Sequence, residues 1–204
     1  KYEMVMHFAS SINVGESYDH PMKYYENNVI NTLNLLECMI DLKILNFIFS
    51  STAAVYGEPE SIPIKEEQNL SPINPYGKTK SVVENILSDY DKSYGLKYIS
   101  LRFGTISGYS EGMRFHTAVN KFCFNSVMGI KIPIWGKAIK LYRPYLSLID
   151  AQKTLKFVIE NNFFPSDIFN ILSENKTVRE IINIIKKNNQ KPKLKFINSR
   201  ILNQ

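Results

Sequence analysis

Two stretches decide how this chain folds: Asn46-Phe47-Ile48-Phe49-Ser50-Ser51-Thr52 and, beyond a proline-rich segment, Pro75-Tyr76-Gly77-Lys78-Thr79-Lys80. The first is a β-type apolar run ending in three consecutive hydroxyl residues, which reads as a buried strand whose carboxyl end meets solvent. Gly57, Pro59, Pro63, Pro72 and Pro75 make Thr52 to Pro75 a loop, and Pro75 then opens a helix to about Tyr94, where Gly95 is placed to end it. Upstream, Val5 to Ala9 reads as another short strand. Pro21 to about Leu42 reads as one helix, with Val29, Leu33, Leu36 and Ile40 at helical spacing. Downstream, Tyr98 to Phe103 is a third strand. Strands alternating with helices predict parallel pairing with right-handed crossovers, so the fold class is α/β with a doubly wound parallel sheet.

The second half is looser. Gly108 and Gly112 mark a loop, Thr117 to Met128 a helix, and Ile132 to Tyr145 a mixture of short strands and turns. Asp150 is placed to cap a helix to about Asn161, Ile168 to Ile171 is β-like, Val178 to Lys187 is an amphipathic helix, and Lys193 to Phe196 alternates as an edge strand does. At 204 residues, 44% hydrophobic and 22% charged, the chain has room for one domain plus a small lobe and is not disordered. No apolar run reaches the roughly 18 residues of a membrane span and no leader pattern opens the chain, so the expectation is a soluble, cytoplasmic protein without membrane partners. Cys38 and Cys123 sit in apolar periodic stretches without paired or metal-type spacing, and are expected to be buried thiols; no metal site is indicated. The formal charge of +6 comes from scattered lysines without a recognition motif, which argues against nucleic acid as a partner.

Tyr76 and Lys80 are separated by one helical turn and share a face. A free phenol loses its proton near pH ~10, and an adjacent ammonium, with a positively charged nicotinamide ring nearby, would make Tyr76 usable as a base at neutral pH. Ligands of open parallel sheets bind outside the carboxyl ends of strands, which puts the hydroxyl of Thr52 at the rim of such a site. The small residues after Val5 to Phe8, Ala9 and Ser10 among them, would let a flat cofactor approach the backbone. His7 and His116 are expected to be structural.

In order and spacing, VMHFASSINVGES, YYENNVINTLNLLE, NFIFSSTAAVYGE and INPYGKTKSVVENIL resemble the extended short-chain dehydrogenase/reductases, and within them the nucleotide-sugar epimerases of the NAD-dependent epimerase/dehydratase family. The resemblance implies an NAD(P)-binding Rossmann domain (1–110 and 142–172) with a smaller substrate-binding lobe (111–141 and 173–204). It implies Tyr76 as the catalytic acid/base, Lys80 as the ribose-binding and tyrosine-activating lysine, and Thr52 as the hydroxyl that bonds the reacting sugar oxygen. Phe8, Ala9, Ser10, Asn28, Ser50 and Ser51, with Tyr76 and Lys80, would contact NAD. Thr52, Thr105, Asn120 and Arg143 would contact a nucleotide-sugar, a UDP-sugar first of all, with Arg143 gripping the diphosphate through its planar fork. The reaction implied is inversion of a sugar carbon, C4 in the first instance, through a keto-sugar. Two long helices, Pro21 to Leu42 and Pro75 to Tyr94, would join a homodimer through a four-helix bundle.

The sequence also departs from the family. Its glycine-rich G-x-x-G-x-x-G loop is not in the chain, and a family member's first strands would precede Lys1. Ile12 stands where many 4-epimerases carry lysine and Thr105 where they commonly carry asparagine, while Arg114 joins Asn120 as a candidate substrate contact. Ala53 and Ala54 follow Thr52 where 4,6-dehydratases of the family carry an Asp-Glu pair, so the groups for eliminating water are missing. The alternatives are another nucleotide-sugar-modifying relative (decarboxylase, dehydratase or reductase) or an inactive nucleotide-sugar-binding homologue.

Overall fold

The computed structural model describes residues 2–115, 117–188 and 191–197. His116 and the final residues of the expected lobe, 198–204, lie outside the described residues. The described residues divide into two compact units, one formed by those up to Phe103 with Leu155–Ile171, the other by those within Gly104–Thr154 with those from Leu172 to Ile197. The units change over after Phe103, after Thr154 and after Ile171, and Thr105–Ser107 and Tyr142–Ser147 pair in one sheet of the second unit.

The first unit holds a four-stranded parallel sheet of β1 (Met4–His7), β2 (Asn46–Thr52), β3 (Lys97–Phe103) and β7 (Asp167–Ile171), in that spatial order. Between its strands run α1 (Val14–Asp19), α2 (Pro21–Tyr25), α3 (Asn31–Asp41) and α4 (Pro75–Tyr94). Leu36 and Met39 of α3, Val83 and Leu87 of α4, and Phe47 and Phe49 of β2 close the core between helices and sheet. Burying each such side chain contributes about 1.5–3 kcal/mol. Cys38, on the face of α3 away from Leu36 and Met39, is exposed, as is Cys123, so the expected buried thiols are corrected.

The expected single helix from Pro21 to Leu42 is interrupted by a π-helical turn over Glu26–Ile30. This widened turn turns two neighbours inward together, Asn28 at 2% and Val29 at 7% exposure. In α4 the sequence signals act as expected: Pro75 occupies the first turn, and Gly95 ends the helix in the left-handed conformation at φ 73°. The side chain of Asn74 caps the start, accepting from the Gly77 amide at 2.7 Å.

The second unit carries β4 (Thr105–Ser107), β6 (Tyr142–Ser147) and β8 (Glu174–Thr177) in one sheet, β5 (Ile132–Trp135) and β9 (Leu194–Ile197) in another, and helices α5 (Ala118–Val127) and α7 (Val178–Lys187). Phe122, Ile132, Ile134, Tyr145, Ile181, Ile182 and Ile185 form its core. Helix α6 (Leu148–Glu160) begins two residues before the expected cap. The Ser147 hydroxyl accepts from the Asp150 amide at 3.0 Å, so Ser147 fills the capping role and Asp150 sits in the first turn. No helix among the described residues is long and apolar enough to cross a membrane.

Candidate active site

Lys80 is the central group. It is 2% exposed, yet its ammonium donates to the Ser50 carbonyl at 2.8 Å and lies 4.7 Å from the centre of the Phe49 ring. Among the described residues the cation thus meets one oxygen acceptor and one aromatic face. Burial lowers its pKa to about 8, opposed by the Glu84 carboxylate one turn further along α4. Tyr76, one turn before Lys80, is half-buried, so the helix passes from partly open to closed within two turns.

Thr52 ends β2 and begins a 3₁₀ turn over Ala53–Tyr56. Its side-chain oxygen accepts from the Ala54 amide at 3.2 Å, which holds the rotamer while leaving the hydroxyl proton to donate to an incoming oxygen. The 3₁₀ turn and α4 pack backbone to backbone: a Cβ added at Gly77 would stand 2.8 Å from the Ala54 carbonyl oxygen. Gly57, at φ 65°, is fixed for a second reason, since a Cβ there would stand 1.9 Å from the Ser71 carbonyl oxygen. The glycines thus set the separation between Thr52 and the Tyr76 turn.

Asn28 is fully used. Its oxygen accepts from the Ser11 amide at 2.8 Å, while its nitrogen donates to the Ser11 carbonyl at 2.9 Å and to the Thr79 hydroxyl at 3.1 Å. Thr79 donates in turn to the Tyr76 carbonyl at 2.8 Å. Asn28 thus ties the segment after β1 to the turn carrying Tyr76. Thr32 donates to the Asn28 carbonyl at 2.8 Å, so the Nε2 of His7, 2.9 Å from the Thr32 oxygen, carries the proton and donates. Burial and then the Lys80 charge lower the His7 pKa to about 4, so the ring is neutral. His7 thus fastens β1 to the Thr32 hydroxyl on α3.

Of the other sequence candidates, Phe8 is 45% exposed with its ring stacked on Phe103 at 6.4 Å, Ala9 is exposed, and Ser10 and Ser50 are half-buried. These side chains are available at the carboxyl end of β1 and β2. Ser51 is not. It is 3% exposed and donates to Glu84 at 2.6 Å, since alternate residues of a strand face opposite sides. Thr105 and Asn120 belong to the second unit and are half-buried; Arg143, on β6, is exposed. Both ends of the Asn120 amide hold a loop, accepting from the Gly108 amide at 3.2 Å and donating to the Arg114 carbonyl at 3.1 Å.

Sequence reasoning missed Glu84 and Arg102. Arg102 meets the Glu84 carboxylate through Nε at 3.0 Å and a terminal nitrogen at 2.7 Å, both side chains being essentially inaccessible. Arg102 also donates to the Tyr56 hydroxyl at 2.6 Å and to the Glu66 carbonyl at 3.0 Å, and Tyr56 donates to Asn170 at 2.8 Å. The signal was present: Glu84 stands four residues after Lys80, hence on the face of Tyr76 and Lys80.

A family profile described as GDP-mannose 4,6 dehydratase matches residues 1–198. The chain belongs to that family. It is 46% identical over 110 residues to the UDP-glucose 4-epimerase of Lactobacillus helveticus, covering 54% of this chain and 33% of that protein. It is 41% identical over 139 residues to UDP-arabinose 4-epimerase 1 of Arabidopsis thaliana, covering 63% of this chain and 33% of that one. Among solved structures, UDP-glucose 4-epimerase from Brucella ovis in complex with NAD superposes with a TM-score of 0.87 at 28% identity, over 98% of this chain and 66% of that one. The matched stretches thus span about a third of the curated relatives' length.

Proposed function

We propose that the protein of which these residues are part is an NAD-dependent nucleotide-sugar epimerase, acting on a UDP-sugar at C4. The observation that carries this reading is the buried Lys80 ammonium seated one helical turn from the half-buried Tyr76, beside a strand end that offers the Thr52 hydroxyl. The similar proteins named above, UDP-sugar 4-epimerases, support it.

The residues present fit the nicotinamide-ribose end of a dinucleotide. Lys80 has three donors, of which Ser50 takes one, and such a buried ammonium calls for further acceptors of the kind ribose hydroxyls supply. Ala9 and Ser10 offer small side chains at the end of β1. When bound, NAD supplies reversible hydride acceptance. Tyr76 takes the proton of the sugar hydroxyl as the carbon gives up its hydride, and Thr52 donates a hydrogen bond to the same oxygen. When hydride returns to the opposite face of the keto-sugar, Tyr76 gives the proton back and no net oxidation results. The Lys80 charge stabilises the phenolate form of Tyr76 that takes the proton at the start and is restored at the end. Arg143, exposed on β6, is the proposed diphosphate ligand of the second unit.

The family's name points to dehydration, but the two residues after Thr52 are alanines and carry no acid or base for eliminating water. A homodimer through the long helices is supported by apolar side chains exposed on them, Met22 at 68%, Ile30 at 51% and Val82 at 37%.

The test incubates the full-length protein with UDP-, dTDP-, GDP- and CDP-sugars without added reductant and follows products by NMR. The expected result is an isomer of a UDP-sugar, formed by wild type and lost by a factor of roughly 10²–10⁴ in Tyr76→Phe. Loss of water or CO2 from the sugar would overturn the epimerase reading.

A further inference from the structure

Tyr76, Lys80 and Glu84 follow one another at intervals of four on α4, a ladder running from the half-buried to the fully buried end of one helix face. Its two lower rungs are fastened to neighbouring residues of β2: Lys80 donates to the Ser50 carbonyl at 2.8 Å, and Glu84 accepts from the Ser51 hydroxyl at 2.6 Å. Two permanent or potential cations are buried here, Lys80 and Arg102, and Glu84 is the carboxylate between them. The Arg102 fork and the Ser51 and Ser100 hydroxyls fix both carboxylate oxygens, so the negative charge cannot swing away.

We propose that Glu84 is a positioning residue for the reaction, its buried carboxylate keeping Lys80 charged and seated on Ser50 beneath Tyr76. This rests on the epimerase reading for its functional consequence, though not for its electrostatics. The groups around Lys80 are His7 from β1, neutral in its Nε2-protonated form, and Tyr76 and Glu84 one turn to either side on α4, Glu84 being held in turn by Arg102 from β3 with Tyr56 beyond it. Of these the Glu84 carboxylate favours the ammonium, against its burial. Removing the Glu84 charge therefore leaves Lys80 with its burial uncompensated, and its proton leaves at lower pH. A neutral Lys80 no longer stabilises the Tyr76 phenolate.

The experiment uses the full-length protein, with UDP-galactose as probe, and compares wild type, Glu84→Gln and Glu84→Asp. The alkaline limb of kcat/KM against pH is expected to move down by about one unit in Glu84→Gln and to return toward wild type in Glu84→Asp. Independently of turnover, the ε-carbon of 13C-labelled Lys80, assigned by its loss in Lys80→Met, is expected to titrate about one unit lower in Glu84→Gln. A loss of activity with both titrations unmoved would overturn the proposal and leave Glu84 a purely structural partner of Arg102. If wild type turns over no sugar while the lysine signal still shifts, the epimerase reading falls and the charge coupling stands. Should Glu84→Gln not fold, the charge-neutral double variant Glu84→Gln/Arg102→Met replaces it, with a smaller shift in the same direction expected and no shift overturning the proposal.

Discussion

In the first unit a buried carboxylate, Glu84, is met by Ser51, Ser100 and Arg102, and Arg102 reaches on to Tyr56 and the backbone of Glu66. In the second unit Asp150 is met by Ser147, Ser173 and Lys153 in contact with solvent, and Asn120 by the backbone of a loop. The hydrogen-bond chemistry is alike, but its energetic weight differs because water competes for the second set and not for the first. Buried and fully satisfied, a polar network fixes one arrangement; partly wet, it steadies a loop that can move.

The contrast is broken most severely at Lys80. Lys80→Met removes a buried ammonium without removing volume, so turnover is expected to fall by roughly 10²–10⁴ while the urea midpoint stays level or rises. A fall in both would mean that the lysine serves chiefly to hold Ser50. Next, Arg102→Met leaves the buried Glu84 without its ion-paired hydrogen-bond partner, at an expected cost of about 3–5 kcal/mol by urea unfolding. A cost below about 1 kcal/mol would show that the interior is wetter than its burial implies.

A third effect is graded by pH. His7 remains neutral in the folded state down to about 4, whereas the unfolded chain takes up its proton near 6.5. The unfolded state thus binds more protons between these values, and stability is expected to fall as pH drops through that window. Thermal midpoints between pH 7 and 4 should fall less steeply in His7→Gln than in wild type. Smallest is Asn120→Ala, expected to cost about 1 kcal/mol or less and to raise protease cleavage around 108–115, with little change in Tyr76-dependent turnover at saturating substrate. Equal costs for Asn120→Ala and Arg102→Met would erase the distinction between the units.

The same distinction governs what was legible in the sequence. Strands β2 and β3 and helix α4 announce themselves, because apolar runs bounded by Pro75 and Gly95 leave few alternatives. The positions of Tyr76, Lys80 and Thr52, one helical turn apart and at the end of β2, were legible for the same reason: they lie at fixed places on those elements. Ser51 was misplaced because the alternation that buries one serine exposes its neighbour, and residue type does not say which. The tie that Asn28 makes to Ser11 and Thr79 was not legible, since the π-turn that buries it has no signature in helical spacing. Arg102 was silent, as a partner more than a dozen positions from Glu84 is reached only through the pairing of strands. In the second unit, short strands such as β4 and β8 have too few residues for periodicity to declare them, and Asp150 looked like a cap because Ser147 carries the same signal three residues earlier.

The widened turn at Glu26–Ile30 has an implication for lineage and for engineering. A π-turn is an α-helix holding one residue too many. Taking one out should let the flanking helices close into an unbroken spiral with Leu36 and Met39 still facing the sheet, and the clasp between Ser11 and Thr79 would vanish with the bulge. A chain one residue shorter can therefore keep its architecture and lose its alignment of β1 with the Tyr76 turn, which makes this turn the place to look when a relative with the same fold has given up the chemistry.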